Sequence, residues 1–260
     1  MRLGPMLEAT LIVGELDRSL PGYQALGWRV RARDALPQQR ALDMGEASLA
    51  GAARIRLGLG DQPTQLTLIE APHAEVGAAC ARRGWIGLEL QLDVGSVAEL
   101  DDFQPVGEPV DDDQGGRTRV LASANGELWT LRELRGEGAL RPSLCAVQLA
   151  CADRARTLGF YEGLGLCGRS RQDSASPPFY RCAELAQAQA YPRTVAELRG
   201  AQRIDILAWP DLPPADSQLR TGLRLLSFAR SDAAGRRLQA ADDPSARILA
   251  GPEGEGIELR

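Results

Sequence analysis

The chain repeats itself. Arg18-Ser19-Leu20-Pro21-Gly22-Tyr23 has a counterpart 138 residues later in Arg156-Thr157-Leu158-Gly159-Phe160-Tyr161. Each is followed by a Leu-Gly-apolar triplet, Leu26-Gly27-Trp28 and Leu164-Gly165-Leu166. Each is preceded by an alternating apolar run, Leu7 to Val13 and Cys145 to Cys151. Solenoid repeats run about 20–50 residues, so this period fits a duplicated domain, and 260 residues suffice for two. The stretch Arg135-Gly136-Glu137-Gly138-Ala139-Leu140-Arg141-Pro142 reads as the linker. The expected domains are 1–135 and 141–260.

Within each copy the pattern predicts a strand, a helix, then several strands. In the first, Leu7–Val13 alternates as a strand does, Asp17–Leu26 reads as a helix, and Gly27 stops it. Pro21 predicts a helix that starts late or kinks. Trp28–Arg33 and Gln65–Ile69 read as strands. Leu88–Val94 opens a second strand-first unit, and Asn125-Gly126 is a hairpin turn into Glu127–Leu134. The second copy gives strands at Cys145–Cys151, Leu166–Gln172, Ile204–Trp209, Leu223–Arg230 and Ile257–Arg260, with helices at Arg154–Leu164 and near Asp232–Ala241.

Composition narrows the function. All 30 basic residues are arginine, which excludes lysine Schiff-base chemistry and the lysine of a phosphate-binding loop. A net charge of −5 gives nucleic acid no basic surface. No run of about 18 apolar residues predicts a membrane span, and Met1-Arg2-Leu3-Gly4-Pro5 lacks a signal-peptide core. Cys80, Cys145, Cys151, Cys167 and Cys182 are odd in number and form no C-x-x-C pair, so they read as reduced, buried thiols of a cytoplasmic protein.

The runs "ATLIVGELDRSLPGYQALGW" and "AVQLACADRARTLGFYEGLGL" resemble the opening of vicinal-oxygen-chelate domains, the superfamily of glyoxalases, bleomycin-resistance proteins and extradiol dioxygenases. "ANGELWTL" and "GPEGEGIEL" resemble that superfamily's closing strand. The resemblance covers almost the whole chain. It implies an α+β fold of tandem domains, with βαβββ modules whose mixed sheets curl around a cleft. Against the pattern, the last module is short.

The resemblance also implies metal ligands on the inner faces of four strands per domain. Alternation puts Leu7, Ala9, Leu11 and Val13 on one face of the first strand and Glu8, Thr10 and Ile12 on the other. Likewise Glu89, Gln91 and Asp93 oppose Leu88, Leu90, Leu92 and Val94. The matched ligand positions are Glu8, Thr67, Glu89 and Thr130 in the first domain. In the second they are Ala146, Asp205, Arg224 or Leu225, and Glu258. None is histidine, and the sole histidine, His73, follows a strand end as a loop residue. Catalytic transition metals want about three ligands, imidazole among them. The expectation is therefore no metal and no cofactor, and neither glyoxalase nor ring-cleaving dioxygenase activity.

Three function classes follow. One is a metal-independent protein that binds a small organic molecule for sequestration or resistance, its cavity lined by Trp28, Trp85 or Trp129. Another is an isomerase, lyase or cyclase using Glu8 and Glu89 as paired acid and base. Thr10, Thr67, Gln91, Thr130, Arg132, Asp205 and Glu258 would complete the binding positions. The bland reading has Glu8 and Glu89 neutralised by arginines such as Arg132. A third class is a structural or partner-binding protein with filled cavities. The expected partner is a small molecule rather than nucleic acid or membrane, and a homodimer is compatible with it.

Overall fold

A computed structural model describes residues 2–76, 82–93, 100–111, 116–134, 142–170, 193–197, 202–209, 212–214, 219–231 and 246–260. The chain runs through four groups of elements. The first is β1 (Arg2–Val13), α1 (Leu16–Ala25), β2 (Trp28–Ala35), α2 (Gln38–Asp43), a 3-10 turn at Ala47–Leu49, β3 (Ala53–Leu59) and β4 (Gln65–Glu70). The second is β5 (Gly84–Asp93), β6 (Phe103–Pro105), β7 (Val110–Asp111), β8 (Arg117–Ser123) and β9 (Leu128–Leu134). The third is β10 (Ser143–Cys151), α3 (Arg154–Gly163), β11 (Cys167–Ser170), β12 (Arg193–Glu197) and β13 (Arg203–Ala208). The fourth is β14 (Gly222–Ser231), β15 (Arg247–Ala250) and β16 (Gly256–Leu259).

Both expected opening helices are present, each end within one residue of its expected place. Gly27 and Gly165 follow them with φ of 93° and 85°, the left-handed backbone that makes glycine the natural stop. Pro21 lies inside α1, so the expected late start does not occur. Its missing N–H leaves only the Asp17 carbonyl without a helical donor. Sequence patterning does not single out α2 or β3. The helix expected near Asp232–Ala241 and the linker 135–141 lie outside the described residues. Among the described residues, no helix is long and apolar enough to cross a membrane.

The strands form two mixed sheets, giving an α+β fold. One has seven strands in the order β15-β16-β14-β1-β4-β3-β2. The other has nine, β11-β12-β13-β10-β5-β9-β8-β6 with β7 on β8. Each sheet therefore draws on both halves of the repeat. β1 is parallel to β4 and antiparallel to β14, and β10 is parallel to β13 and antiparallel to β5. The first group completes its sheet with the fourth, and the second with the third.

One apolar core lies between the sheets. From the seven-stranded sheet it takes Ala9, Leu11, Val13, Leu57, Leu66, Leu68, Leu226 and Phe228. From the nine-stranded sheet come Leu88, Leu90, Trp129, Leu131, Val147, Leu149, Ile204 and Ile206. Leu7 departs from its expected place. A bulge between Met6 and Glu8 puts Met6 into this core and leaves Leu7 half-buried outside it. The helices tie neighbouring groups together through buried pairs. Tyr23 of α1 donates to Glu127 Oε1 at 2.6 Å, just before β9, and Tyr161 of α3 donates to Glu255 Oε1 at 2.8 Å, just before β16. The tyrosine of the repeated motif and the glutamate of the closing motif are thus partners. Burial first, then the facing carboxylate, pushes both phenols above their usual range.

The sheet pairing has a consequence. Residues 1–138 and 139–260 made as separate chains leave β1 and β5 without one neighbour each. Mixing the two should give a 1:1 complex with the circular dichroism of the intact chain, and either alone should lack it. Tyr161→Phe should lower stability by about 1.5–3 kcal/mol, the value of a hydrogen bond to a charged group, read by denaturant unfolding.

Candidate functional site

Because side chains alternate along a strand, residues between the core positions point to the outer, concave face of their own sheet. Glu8, Thr10, Thr67, Ser227 and Glu258 lie so on the seven-stranded sheet. Glu89, Thr130, Gln148 and Asp205 lie so on the nine-stranded one. All nine are buried. Glu8 and Glu89 are therefore not a pair. They sit on different sheets, pointing away from the core that separates them. The acid–base pairing expected from sequence assigned both residues to one domain, whereas the sheets close between the first and fourth groups and between the second and third.

On the seven-stranded sheet, Arg260 bridges the two carboxylates. Its Nη1 donates to Glu8 Oε2 at 2.6 Å and its Nε to Glu258 Oε2 at 2.7 Å. Arg40 reaches down from α2, its Nη2 donating to Glu258 Oε2 at 2.8 Å and its Nη1 to Oε1. Ser227 donates its hydroxyl to Glu258, and Thr10 donates to Glu8 Oε1 at 3.3 Å. The Thr67 hydroxyl lies beside Glu8 but does not close a regular hydrogen bond. Burial works to raise the Glu8 carboxyl, and the facing Arg260 outweighs it, with help from Thr67 and Arg40. The group titrates below its ordinary 4.5.

Part of this face is covered. Leu36, Ala41, Met44 and Leu49, from α2 and its flanks, pack on Ile12, Ile69, Ala71 and Leu225. The cover is fixed to the sheet by Arg40–Glu258 and by an ion pair between Arg224 and Glu46. Arg224 comes from a bulge in β14 opposite Thr10 and Leu11.

The nine-stranded sheet repeats the device with other residues. Arg203 Nη2 donates to both oxygens of Glu89 at 2.6 Å, and its Nε donates to Asp205 Oδ1 at 3.0 Å. Gln148 donates to Thr130 Oγ1 at 2.7 Å. The Gln148 Oε1 is packed so closely on Gly87 that a Cβ there would lie 2.5 Å away. Cys145 lies 3.9 Å from Glu89 Oε1. Burial first, then Glu89, pushes its thiol up to about 12 against the opposing pull of Arg203 and Arg132, so it is a neutral thiol at physiological pH. Gln91 is half-buried on the same strand, and Arg132 lies beside it in register on β9.

Strand register settles the remaining ligand positions. Ser227 pairs with Glu8 and Glu258 as Glu89 pairs with Ala146 and Thr130. The position left between Arg224 and Leu225 by the sequence is thus Ser227. Ala146 is buried and contributes no polar group. Trp28, Trp85 and Trp129 do not line a cavity. All three are buried in the core between the sheets, and Trp85 donates its indole N–H to Gly256 O at 2.9 Å. His73 is exposed in the loop after β4. Cys145, Cys151 and Cys167 are free thiols, and Cys80 and Cys182 lie outside the described residues.

The arginines Arg260 and Arg203 fall two residues from matched positions Glu258 and Asp205, so the same alternation identifies them in the sequence. Arg40 has no such signal, since it arrives from a helix across the face.

The donor sets do not fit a catalytic transition metal. The matched positions hold two carboxylates and two hydroxyls on one sheet, two carboxylates and one hydroxyl on the other, with no imidazole. In both, the carboxylate oxygens already accept from a guanidinium. Among the described residues, no three His, Cys, Asp or Glu side chains converge as a metal group.

No protein-family model and no curated protein matches the chain. Solved structures do resemble it. Glyoxalase I from Zea mays aligns at 16% identity over 98% of this chain and 91% of its own, with a TM-score of 0.64. A Bacillus subtilis protein provisionally described as a dioxygenase aligns at 12% identity over 99% and 85%, with a TM-score of 0.64. The cppA protein of Streptococcus pneumoniae aligns at 13% over 100% and 98%, with a TM-score of 0.53. The chain has the vicinal-oxygen-chelate fold, over its whole length.

The ion pairs set a pH dependence. Glu8 titrates below 4.5 when folded, so its contribution is complete above that pH and is lost as pH falls through the lowered value. Glu8→Gln should cost about 1–2 kcal/mol at neutral pH, discounted for the partial exposure of Arg260. The difference from wild type should shrink towards zero on the acid side, followed by urea unfolding across pH. Arg203→Met should cost about 3 kcal/mol, because it removes the guanidinium that both oxygens of buried Glu89 accept from, and adding Glu89→Gln should recover part of that loss.

Proposed function

We propose that this chain is a metal-independent protein that binds a small organic molecule on a concave sheet face, with sequestration as its use. The observation that carries this reading is the occupation of the matched carboxylates by internal arginines, Arg260 and Arg40 on one face and Arg203 on the other. A cation would have to displace a guanidinium held by hydrogen bonds at 2.6–3.0 Å. An acid–base role for Glu8 is disfavoured by its contact with Arg260, which holds that carboxyl below its ordinary range and makes it a poor proton carrier near neutral pH. The concave face of the seven-stranded sheet is the stronger candidate, because α2 and its flanks form a cover over its floor of buried polar residues.

Two measurements test the reading. Nickel, zinc, manganese and ferrous iron should leave the melting temperature unchanged with or without chelator, and none should produce glyoxalase turnover of a hemithioacetal. A stoichiometric metal that raises the melting temperature, or metal-dependent turnover, would overturn it. Native mass spectrometry of protein purified from cells should show an organic adduct that denaturation removes.

A further inference from the structure

The polar end of the concave face on the seven-stranded sheet has an arginine rim beyond Glu8 and Thr67. Across β4 and β3, Thr67 pairs with Arg56, and Gln65 with Gly58. Across β3 and β2, Gly58 pairs with Arg29, Arg56 with Ala32, and Arg54 with Asp34. Ile55, Leu57 and Leu59 point into the core, so Arg54, Arg56 and Gly58 lie on the concave side, and Arg29 and Asp34 with them. Arg31 is the extra residue of a bulge between Val30 and Ala32, which turns it to the same side. Its Nε would lie 2.6 Å from a Cβ on Gly58, and its Nη2 donates to Gly60 O at 2.7 Å.

Charge on this face is unbalanced. Arg29, Arg31, Arg40, Arg54, Arg56 and Arg260 face three carboxylates, Glu8, Asp34 and Glu258, or four with Asp61 of the β3–β4 turn. The Arg224–Glu46 pair is neutral. A solvated edge strand also carries charges as a guard against edge pairing, but a guard needs no fixed position. Here Arg31 is laid flat over a glycine and held by a carbonyl. Arg56 is anchored by Asp34 at 2.9 Å, while its Nε is buried without a partner among the described residues. Placed guanidinium groups with donors to spare suit planar oxyanions.

Resting on the binding reading above, we propose that the ligand is an organic anion, a carboxylate or phosphate monoester, whose acidic group sits on Arg31 and Arg56 at the open end of the concave face. Its body lies over Gln65 and Thr67, towards Glu8. Gly58 keeps the floor flat beneath Arg31.

Calorimetric titration of the whole chain with benzoate, phenyl phosphate and neutral benzamide tests this. Benzoate or phenyl phosphate should bind, more weakly as salt rises, and benzamide should bind at least about tenfold more weakly. Arg31→Gln with Arg56→Gln should weaken the anion about tenfold or more, as expected for lost charge-assisted contacts. Gly58→Ala should weaken it with no change of charge, by displacing Arg31. Circular dichroism checks that both variants stay folded. Benzamide binding as tightly as benzoate overturns the anion and leaves small-molecule binding standing. Anion binding unchanged in the double variant overturns the arginine rim as its seat. Binding of none of the three overturns both this proposal and the binding function assigned to this face.

Discussion

A strand in the middle of a buried sheet must satisfy hydrogen bonds along both of its edges. β1 has β4 on one side from its own group, and only β14, more than 200 residues later, supplies the other. β10 stands in the same relation to β13 and β5. These two junctions place the first and fourth groups on one sheet and the second and third on the other. They decide which polar residues can meet. They also leave the apolar faces of both sheets to bury each other, so the core belongs to the chain as a whole rather than to either half of the repeat. Tyr23–Glu127 and Tyr161–Glu255 stitch in the other direction, joining consecutive groups across that core.

Much of the fold is legible in the sequence because it is written in periodicity. The alternation of Leu11 and Val13 against Thr10 and Ile12 assigns faces, and the repeated Leu-Gly exits mark helix ends. What alternation cannot carry is long-range pairing. Nothing local to Glu8 or Glu89 says which strand will lie alongside, and assuming that each half closes on itself brings together two residues that the sheets keep apart. The three tryptophans mislead for a related reason. A large aromatic has the same local pattern in a core as in a pocket, and here the apolar strand neighbours place all three between the sheets.

Bulges account for the other departures. One extra residue between Met6 and Glu8 removes Leu7 from the core, another turns Arg224 to its pair with Glu46, and a third turns Arg31 onto Gly58. Each re-aims one side chain without disturbing the register beyond it. Such insertions have no compositional signature in a strand rich in arginine, alanine and leucine. Arg31, which the sequence reading omits, and Arg224, which it leaves unresolved against Leu225, both sit there.

The charges on the two concave faces make a common pattern. A divalent cation held by two carboxylates gives a neutral cluster, and a single guanidinium in its place would leave one negative charge buried. On the seven-stranded sheet Arg40 supplies the second positive charge, reaching from α2 to the Glu258 that Arg260 already holds. On the nine-stranded sheet Arg203 holds both Glu89 and Asp205, and Arg132 acts with it on the neighbouring Cys145. Two arginines for two carboxylates balance the Glu8–Glu258 cluster itself, and hydrogen bonds to the carboxylate oxygens offset the cost of taking them from water. The exchange changes what the face can recognise. A metal ion presents open coordination positions to a ligand's lone pairs, whereas a guanidinium presents N–H groups in a plane. On the binding reading proposed above, such a face would favour a ligand that accepts hydrogen bonds through two oxygens over one that chelates.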